Sequence, residues 1–405
     1  MNAFKVCFRL GIAAGLASLV GCGSAQLPFG SRGGAAPANR TAGPPPPNAY
    51  KVLYSFQGPP DGEQPTAPLI YYRGLFYGTT SLGGESGSGC NSCGTVFWLS
   101  TGGTENVLHK FGSGTDGAYP QAGLTVLNGT FFGTTYSGGA ACSGACGVVF
   151  KIKPDGTEKV IYSFLGGSDG ANPHGGLLAE HGTLFGTTEA GGGGLGTVFA
   201  VTTYGSEAVL HRFTGEPYDG AVPVGNLVES NGVTYGVTQE GGTYNVGTVF
   251  ALTASGGERI VHSFNATEGK YPVGLMVLKG KLYGALSAAG RMNRGAIFSL
   301  TPGGKFRVIH SFRGTPNGDG AYPFAPPIAV DDVLYGTTKG GGGNGNGTVY
   351  AMSTSGSEIG LHSFGHPPDG IHPYAPLLYH NQKLYGTTVN GGGGPAYGTL
   401  YRVAP

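Results

Sequence analysis

Charged residues are scarce in this sequence. Asp, Glu, Lys and Arg make up 11% of it, and 23 basic residues against 22 acidic ones leave a net charge of +1. Nucleic acids and anionic membrane surfaces are bound through clusters of basic residues, so neither is expected as a partner. Tryptophan is nearly absent too, since Trp98 is the single one. That argues against a fold held together by repeated tryptophan stacking around a quinone.

Common signatures of catalysis are lacking as well. The sequence has no H-E-x-x-H zinc motif and no G-x-x-x-x-G-K-[ST] phosphate loop. Its glycine runs, such as residues 191–194 and 340–343, stand before strand-like segments and not before helices. They therefore do not bind phosphate in the manner of a Rossmann fold. No reaction follows from these patterns, and a binding role is expected before a catalytic one.

Glycine is what the sequence has in abundance, with 81 of 405 residues, joined by 27 prolines. A disordered chain of that composition would not place Phe, Val and Leu at regular intervals, as this one does. A Gly-Thr-Val-Phe-like run recurs with a period of about 51 residues, beginning at Gly94, Gly147, Gly196, Gly247, Gly295, Gly347 and Gly398. Each period holds four short runs of alternating apolar and polar residues. The pattern predicts an all-β fold, a seven-bladed β-propeller with four antiparallel strands per blade.

The two ends of the repeat region are out of phase with each other, which predicts how the ring closes. Residues 51–56 match a fourth strand, whereas residues 398–403 match a third strand. The last blade therefore lacks its own fourth strand, and the N-terminal segment can supply it. Closure of this kind leaves no unpaired sheet edge.

The N-terminal residues have a different composition. Residues 1–21 combine the basic Lys5 and Arg9 with an apolar run at residues 10–20. This arrangement is typical of a signal peptide, and the run is shorter than the roughly 20 residues needed to span a bilayer. We therefore expect the chain to be exported.

A lipid anchor is expected after this segment. The sequence Leu19-Val20-Gly21-Cys22 resembles the bacterial lipobox, which predicts lipidation of Cys22 and a location at the bacterial cell envelope. Plain secretion, with cleavage near Ala25, is the alternative. Residues 22–49 are predicted to be a Pro-, Gly- and Ala-rich linker, and residues 50–405 the propeller.

The repeat YGTTxxGG…GTVFxL…VLHSF…DGxxP, found over residues 51–403, resembles the GloVer-type tandem repeat of bacterial surface proteins. The double glycine after its second strand is similar to that of kelch repeats. The resemblance implies a propeller on an exported, anchored protein. It implies no particular reaction.

A ring of acids is the first candidate site. Each acid lies between the fourth strand of one blade and the first strand of the next, and each is followed by glycine: Asp61, Asp116, Asp169, Asp219, Glu268, Asp319 and Asp369. In a four-stranded antiparallel blade, these loops emerge on one face, so the ring is expected to surround a mouth of the central channel. Carboxylates there suit a cation such as Ca²⁺ or the hydroxyls of a glycan. The other interpretation is turn chemistry, because Asp-Gly is a favoured turn pair and a residue found in every blade usually serves the blade.

The fifth blade breaks the symmetry of this face. Arg291 and Arg294 replace a glycine-rich loop, and Lys270 lies in a neighbouring loop. Seven equal blades cannot orient one small ligand, so three cations beside the acid ring would provide specificity. Drift in an exposed loop is the alternative.

Cysteine offers a possible metal site. The pairs Cys90 and Cys93, and Cys142 and Cys146, occupy the same loop in adjacent blades. Four thiolates with this spacing could hold zinc. In an exported protein, however, each pair favours a local disulfide, because oxidising compartments join paired cysteines.

Histidine recurs at one position of the fourth strand, as His109, His211, His262, His310 and His362. Tyr54 and Tyr162 take this position in two other blades. Since tyrosine is a poor zinc ligand, the alternation favours packing with a hydrogen bond over metal coordination.

Together these patterns predict an exported, envelope-anchored β-propeller that binds a glycan, peptide or protein partner. The alternative is an extracytoplasmic hydrolase or lyase acting on polysaccharide or peptide with carboxylates of the acid ring. No cofactor is expected apart from a cation such as Ca²⁺ at that ring. The protein is expected to be a monomer that touches a membrane only through its lipid anchor.

Overall fold

The computed structural model describes residues 50–84, 90, 92–112, 114–140, 142, 146–253, 257–288, 292–315, 318–394 and 396–405. These residues fold into seven four-stranded antiparallel sheets, each forming one blade of a β-propeller. The predicted fold class and blade number are confirmed. Within this part of the chain no helix is long and apolar enough to cross a membrane. The predictions for residues 1–49, with the signal peptide, Cys22 and the linker, lie outside the described residues.

The strands are numbered in chain order. The first are β1 (Tyr50–Ser55), β2 (Gly62–Glu63), β3 (Ile70–Tyr72), β4 (Leu75–Thr80), β5 (Leu82–Gly83), β6 (Thr95–Ser100), β7 (Glu105–Lys110), β8 (Thr125–Leu127), β9 (Thr130–Thr135), β10 (Val148–Ile152), β11 (Glu158–Ser163) and β12 (Gly170–Ala171). The next are β13 (Leu178–Glu180), β14 (Thr183–Thr188), β15 (Ala190–Gly191), β16 (Thr197–Thr202), β17 (Glu207–Arg212), β18 (Gly220–Ser230), β19 (Val233–Gly241), β20 (Thr248–Leu252), β21 (Glu258–Ser263), β22 (Lys270–Leu278), β23 (Lys281–Ala288) and β24 (Ala296–Leu300). The last are β25 (Phe306–Ser311), β26 (Gly320–Ala321), β27 (Ile328–Val330), β28 (Val333–Thr338), β29 (Gly340–Gly341), β30 (Thr348–Ser353), β31 (Glu358–Ser363), β32 (Gly370–Ile371), β33 (Leu378–His380), β34 (Lys383–Thr388), β35 (Asn390–Gly391) and β36 (Thr399–Val403).

Each blade consists of four strands that we call a, b, c and d. Blades 1 to 7 are β3-β4-β6-β7, β8-β9-β10-β11, β13-β14-β16-β17, β18-β19-β20-β21, β22-β23-β24-β25, β27-β28-β30-β31 and β33-β34-β36-β1. Four two-stranded ladders, β2-β5, β12-β15, β26-β29 and β32-β35, extend the a–b hairpins of blades 1, 3, 6 and 7. In blades 4 and 5 the same extension belongs to the longer strands β18, β19, β22 and β23.

The ring closes as the phase of the repeat predicts. β1 pairs antiparallel with β36, with Tyr50 opposite Val403 and Ser55 opposite Thr399. The first described strand therefore becomes strand d of blade 7, although strands a, b and c of that blade come from the other end of the chain. β1 therefore covers the edge of β36 that would otherwise be unpaired in blade 7.

The recurring glycine of strand b makes room for an aromatic side chain of strand c. Gly78 is opposite Phe97, and a Cβ atom at Gly78 would lie 2.7 Å from the Phe97 ring. In blade 6 a Cβ atom at Gly336 would lie 2.3 Å from the Tyr350 hydroxyl. The sequence predicts a close approach at these glycines, and the structure identifies the approaching group as the aromatic ring of the neighbouring strand.

That aromatic ring also joins neighbouring blades. It contacts the phenylalanine that follows strand d of the preceding blade, with ring centroids 5.0 to 5.4 Å apart, in the pairs Phe56/Phe97, Phe111/Phe150, Phe164/Phe199, Phe213/Phe250, Phe264/Phe298, Phe312/Tyr350 and Phe364/Tyr401. Most of these are tilted or edge-to-face pairs of fully buried rings, the arrangement that aromatic quadrupoles favour. Each junction between blades thus has an aromatic centre.

The threonines of the Tyr-Gly-Thr-Thr run have two separate roles. The second threonine bonds a threonine of strand c, as between the Thr80 and Thr95 hydroxyls at 2.8 Å. The first reaches the next blade, as Thr79 Oγ1 donates to the carbonyl oxygen of Ala122 at 2.9 Å. Buried hydroxyls need such partners. The motif therefore links strands b and c within a blade and also links neighbouring blades.

Candidate functional site

The seven blades enclose a central cavity of about 680 Å³, lined by residues of every blade. Strand a lies innermost, because it contacts the first strand of the next blade: Thr125 Oγ1 in blade 2 donates to the carbonyl oxygen of Leu177 in blade 3. Pockets for small ligands commonly measure about 300 to 1,000 Å³, so the cavity is large enough for one.

One position of the repeat lines this cavity in every blade. It is the residue after the proline of the loop between strands d and a, and it is Thr66, Gln121, His174, Val224, Val273, Phe324 and Tyr374 in blades 1 to 7. We call these seven residues the lining positions. Because equivalent backbone carries six different residue types here, the wall of the cavity is chemically asymmetric.

A backbone kink fixes each lining position. The residue before the proline has a positive φ between 55 and 59° in every blade: Gln64, Tyr119, Asn172, Val222, Tyr271, Tyr322 and His372. A left-handed conformation costs a non-glycine residue about 1–2 kcal/mol. The kinked residue is held by the preceding blade, as the Gln64 N–H donates to the carbonyl oxygen of Tyr397 and the His372 N–H to that of Asn346, both at 2.9 Å. The seven kinks therefore aim the lining positions from a rigid frame.

One side of the cavity, in blades 1 to 3, is polar. The Thr66 hydroxyl oxygen is buried and has no hydrogen-bond partner in the described part of the chain. Burial lowers the pKa of His174 against the opposing charge of Glu189, so its imidazole is neutral at neutral pH. Burial and the same carboxylate raise the pKa of Tyr136, whose ring lies edge-on to His174.

The side formed by blades 6 and 7 is aromatic and cationic. The rings of Phe324 and Tyr374 have centroids 4.7 Å apart, and Phe324 is 36% exposed. The Lys339 ammonium lies 5.3 Å from the Phe324 centroid and 5.0 Å from the Tyr374 centroid, within the range of a cation–π interaction. Since blades 3 and 6 are nearly opposite in a ring of seven, the cavity has a polar side and an aromatic side, and the Lys339 ammonium packs against the aromatic side.

The acids predicted as a ring are held elsewhere, in groups at the outer edge of each junction between blades. Each group contains the His or Tyr of strand d, the acid of the following loop and the residue that begins strand d of the next blade. We call them the junction triads: Tyr54/Asp61/Glu105, His109/Asp116/Glu158, Tyr162/Asp169/Glu207, His211/Asp219/Glu258, His262/Glu268/Phe306, His310/Asp319/Glu358 and His362/Asp369/Tyr50.

The carboxylate of each triad is occupied by protein donors. Asp219, which is 6% exposed, accepts from His211 Nε2 at 3.0 Å, from the Thr214 N–H at 2.8 Å and from the Gly220 N–H at 2.6 Å. The equivalent His or Tyr lies 2.8 to 3.5 Å from its acid in the other blades. Four strand-d histidines therefore form the hydrogen bonds that their alternation with tyrosine predicts, whereas His310 Nε2 lies at ion-pair distance from Asp319, 3.5 Å away.

This geometry differs from the expected ring around a channel mouth. None of the seven acids lines the described cavity, because each carboxylate is drawn onto strand d, the outermost strand, by the His or Tyr side chain and by a backbone N–H of its own loop. The turn chemistry weighed against a binding face is thus present at every junction. Ligand binding by these acids stays a prediction.

The glutamates of five junction triads share an unusual protonation state. Burial raises the pKa of Glu105, Glu158, Glu207, Glu258 and Glu358 to about 7. In four of them, Glu358 excepted, one carboxyl oxygen is buried without a hydrogen-bond partner in the described part of the chain. In two of these triads the neighbouring acid behaves oppositely: although burial opposes it, hydrogen bonds hold the pKa of Asp219 and of Asp319 below the usual range. One proton is thus shared unevenly between two nearby carboxyls.

Three of the junction triads have the donor atoms that a metal ion requires. In His109/Asp116/Glu158, His211/Asp219/Glu258 and His310/Asp319/Glu358, one nitrogen and two oxygens lie within 4.8 Å of one another. At the other junctions tyrosine or phenylalanine takes one of the places, and the same geometry persists through hydrogen bonds or ring stacking. The triads thus have a structural function that requires no ion.

Of the predicted cations of blade 5, the described residues Lys270 and Arg294 do not line the cavity. Arg294 contacts the kinked residue of blade 6, with Nη1 3.3 Å from the Tyr322 hydroxyl and its guanidinium 5.5 Å from the ring centroid. Lys270 begins β22 and is half-buried. Arg291 lies outside the described residues.

The cysteines form the two local disulfides that the sequence favours. Cys90 is bonded to Cys93 and Cys142 to Cys146, with Cα atoms 5.8 and 5.9 Å apart. The pairing leaves no thiolate among these four for zinc. Cys93 is fully buried in the apolar core between blades 1 and 2, so the first disulfide also fills space.

Sequence reasoning missed the lining positions and Lys339. The candidates chosen from the sequence are residues that recur in every repeat. The lining positions and the position of Lys339 instead vary from repeat to repeat, and each follows a recurring proline or Thr pair. Aligning the seven repeats on those fixed residues isolates them. The direction in which they point follows only from the kink before the proline.

Comparison with protein families gives one match. A family model described as the Gloeobacter/Verrucomicrobia repeat matches residues 87–279 and 274–405. No curated protein sequence matches this chain.

Several solved structures share the fold. A puromycin hydrolase is 14% identical with a TM-score of 0.54, covering 84% of this chain and 53% of that chain. A puromycin-hydrolyzing peptidase of Mycobacterium tuberculosis is 11% identical with a TM-score of 0.51, covering 83% and 50%. A gluconolactonase of Xanthomonas campestris is 13% identical with a TM-score of 0.41, covering 64% and 78%. This chain thus spans about half of the two puromycin-cleaving enzymes, and the likeness shows the propeller fold alone.

Proposed function

This chain belongs to the Gloeobacter/Verrucomicrobia repeat family, and we propose that it is a binding module whose ligand site is the central cavity. One observation carries the proposal: seven equivalent lining positions present six different residue types to one shared space. Small-ligand sites are concave and mostly apolar, with a few polar groups that fix orientation. The cavity fits that description, whereas each acid of the predicted ring already accepts a hydrogen bond from a backbone N–H of its own loop.

The size of the cavity limits what it can hold. About 680 Å³ accommodates a few sugar units or the end of a peptide, but not a folded domain. A glycan, a peptide or a protein that inserts one segment therefore remains the proposed class of partner. Each would meet polar groups in blades 1 to 3 and rings in blades 6 and 7.

Binding is tested by screening glycans and peptides against three variants. Tyr374→Ala removes one ring of the cavity wall, and Val273→Trp fills the cavity from blade 5. Tyr204→Ala is the matched control, because Tyr204 is 92% exposed on the turn between strands c and d, on the opposite face. Affinity should fall at least tenfold in the first two and stay unchanged in the control.

The same binding experiment also tests the face predicted from the sequence, which comprises the acid ring and the cations of blade 5. Asp319→Ala and Arg294→Ala alter the acid ring and the cations of blade 5, at residues that do not line the cavity. A ligand that tolerates Tyr374→Ala and Val273→Trp but is lost in these two variants would move the site to that face and overturn the cavity.

We also propose that the protein is exported and held at the bacterial envelope through a lipid on Cys22. The lipobox-like sequence supports the anchor, and the two disulfides support an oxidising compartment. Mass spectrometry of the membrane fraction should find an acylated Cys22 at the mature N-terminus. Cys22→Ser should release the protein from that fraction, and an unmodified Cys22 in wild-type protein would reject the anchor.

An extracytoplasmic hydrolase acting on polysaccharide or peptide is a second candidate, favoured by His174. A neutral imidazole inside a cavity, with Glu189 nearby, has the protonation state that a general base requires. Turnover should then vanish in His174→Gln while ligand affinity persists. Turnover that survives this substitution, with loss only in acids of the junction triads, would favour the carboxylates predicted from the sequence.

A further inference from the structure

A second position of the repeat singles out blade 6, and three of its residues, Ser81, Gln239 and Val389, line the cavity. It directly follows the Thr pair of strand b or its equivalent, and it is Ser81, Tyr136, Glu189, Gln239, Ser287, Lys339 and Val389 in blades 1 to 7. Lys339 is the one cation among these residues. The lining positions are aromatic only in blades 6 and 7. The cation and the two rings therefore coincide in one sector.

Lys339 is held in place but not neutralised. Its backbone N–H donates to the carbonyl oxygen of the kinked Tyr322 at 3.0 Å, which fixes the base of the side chain. Its ammonium lies over Phe324 and Tyr374, and no salt bridge within the described residues includes it. A positive charge thus stands beside an aromatic surface, and no carboxylate of the described residues is paired with it.

The rest of the wall is largely apolar but carries a few neutral groups that both donate and accept hydrogen bonds. Gln121, Gln239 and Asn226 contribute amides, and Thr66 and Ser81 contribute hydroxyls. The Asn226 amide is fixed because its oxygen accepts from the Gly176 N–H at 2.7 Å, which leaves its NH₂ group for a ligand. The buried Thr66 hydroxyl has no partner in the described chain. Such a set suits a ligand with many hydroxyls.

On the basis of the proposed function, we infer that the cavity binds a sugar that carries a carboxylate, a uronic acid residue of a glycan. The C–H groups on one face of a sugar ring form an apolar surface that packs against the Phe324 and Tyr374 rings. Its hydroxyls pair with the amides and hydroxyls of blades 1 to 4, and its carboxylate binds the Lys339 ammonium.

Other ligands fit this wall less well. A neutral sugar leaves the ammonium without a counter-charge, and a hydrophobic peptide side chain leaves the amides of Gln121 and Asn226 without partners. An unmatched buried polar group costs affinity that a paired one does not. The uronic acid is the ligand class that satisfies the cation, the rings and the amides together.

The test compares each acid with its own methyl ester. Oligomers of galacturonate, glucuronate and mannuronate, and their methyl esters, are titrated into the full chain by calorimetry at low ionic strength. At least one acid should bind about tenfold or more tightly than its ester, because the ester keeps the ring and hydroxyls but lacks the charge. The preference should shrink as salt is added.

Two lysine variants assign this preference to one residue. Lys339→Met keeps the length of the side chain and should bring acid and ester to within about twofold of each other. Lys305→Met is the matched control, since Lys305 is exposed on the turn between strands c and d of blade 5, and should keep the full preference. Tyr374→Ala should weaken acid and ester alike, because both forms pack against its ring.

The outcomes separate this inference from the proposed function. An acid and its ester that bind equally, a preference that survives Lys339→Met, or a panel in which no acid binds would each overturn the inference. If neutral glycans or peptides bind and lose affinity in Val273→Trp, the cavity still functions as a site and only the acidic sugar is rejected. If acids bind regardless of both Val273→Trp and Tyr374→Ala, the cavity itself is rejected.

Discussion

The junction triads and the lining positions come from the same seven repeats, yet one set is nearly uniform and the other is varied. Each triad places an acid beside a His or Tyr, and five contain a glutamate with a pKa raised to about 7. The lining positions change from Thr to Val to Tyr around the ring. The triad residues meet the same kinds of partner within the chain at every junction, so their residue types change little from blade to blade. The lining positions face one shared space and not a recurring partner, so their residues are free to match a ligand.

The largest expected effect concerns the segment that completes the ring. β1 pairs with β36 and supplies Tyr54 and Tyr50 to two junction triads, but it contributes nothing to the cavity wall. A chain that begins at residue 57 should therefore lose cooperative unfolding by circular dichroism and elute as aggregates, whereas a chain beginning at residue 50 should melt as a folded monomer. Equal melting curves for the two chains would show that closure does not depend on β1.

A single substitution should separate the two regions by stability. Asp219→Ala leaves His211 and the N–H groups of Thr214 and Gly220 without their buried acceptor, so it should cost about 3 kcal/mol of unfolding free energy. Gln121→Ala changes a cavity wall residue with no such bonds and should stay within about 0.5 kcal/mol of the parent chain. Denaturant unfolding followed by fluorescence measures both. Similar losses would mean that the cavity wall is as structural as the junctions.

The fold could be predicted from the sequence because its signals are local and repeated. Alternation of apolar residues marks each strand, the fixed period marks each blade, and the phase of residues 51–56 against 398–403 marks the closure. The cysteine pairs could be paired as well, since each lies within one loop. These inferences needed no knowledge of which way a loop side chain turns.

The candidate site could not be predicted in the same way. The direction of the Asp61 side chain depends on a hydrogen bond to Tyr54 on strand d, which the sequence of the loop does not encode. Likewise, Thr66 faces the cavity because Gln64 adopts a positive φ before a proline, a conformation that few residues favour. A ring of acids was visible in the sequence, but the position of that ring was set by hydrogen bonds to strand d, outside the loops that carry the acids.

The pH dependence of stability should come from the triads. A carboxyl whose folded pKa is about 7, against an ordinary value of 4.5, stabilises the folded state at low pH and loses that contribution as pH rises from about 4.5 to 7. The melting temperature should therefore fall between pH 5 and pH 8. Glu258→Gln should restore part of it at pH 8, by less than about 1 kcal/mol because solvent screens a half-buried group, and change little at pH 5.

The triad carboxyls with lowered pKa values affect the stability of the fold at the acidic end of the pH range. Hydrogen bonds hold the pKa of Asp219 and Asp369 below the usual range although burial opposes them, so their contribution is lost only when pH falls well below 4. Lys281→Met, at an exposed residue outside the triads, is the control for the pH series. If Glu258→Gln stabilises the chain equally at pH 5 and pH 8, the triad glutamates are not the titrating groups.

The smallest effect is a titration that leaves the fold intact. Burial lowers the pKa of His174 in the cavity, whereas at the junction the Asp319 carboxylate outweighs burial and raises the pKa of His310. Imidazole NMR signals, assigned with His174→Gln and His310→Gln, should show His174 titrating below the ordinary value of 6.5 and His310 above it. A uronic acid oligomer that enters the cavity should displace the His174 signal and leave that of His310 unmoved, because only His174 faces the ligand. Matching pKa values for the two histidines, or a ligand shift at His310, would erase the distinction between a structural junction and a binding cavity.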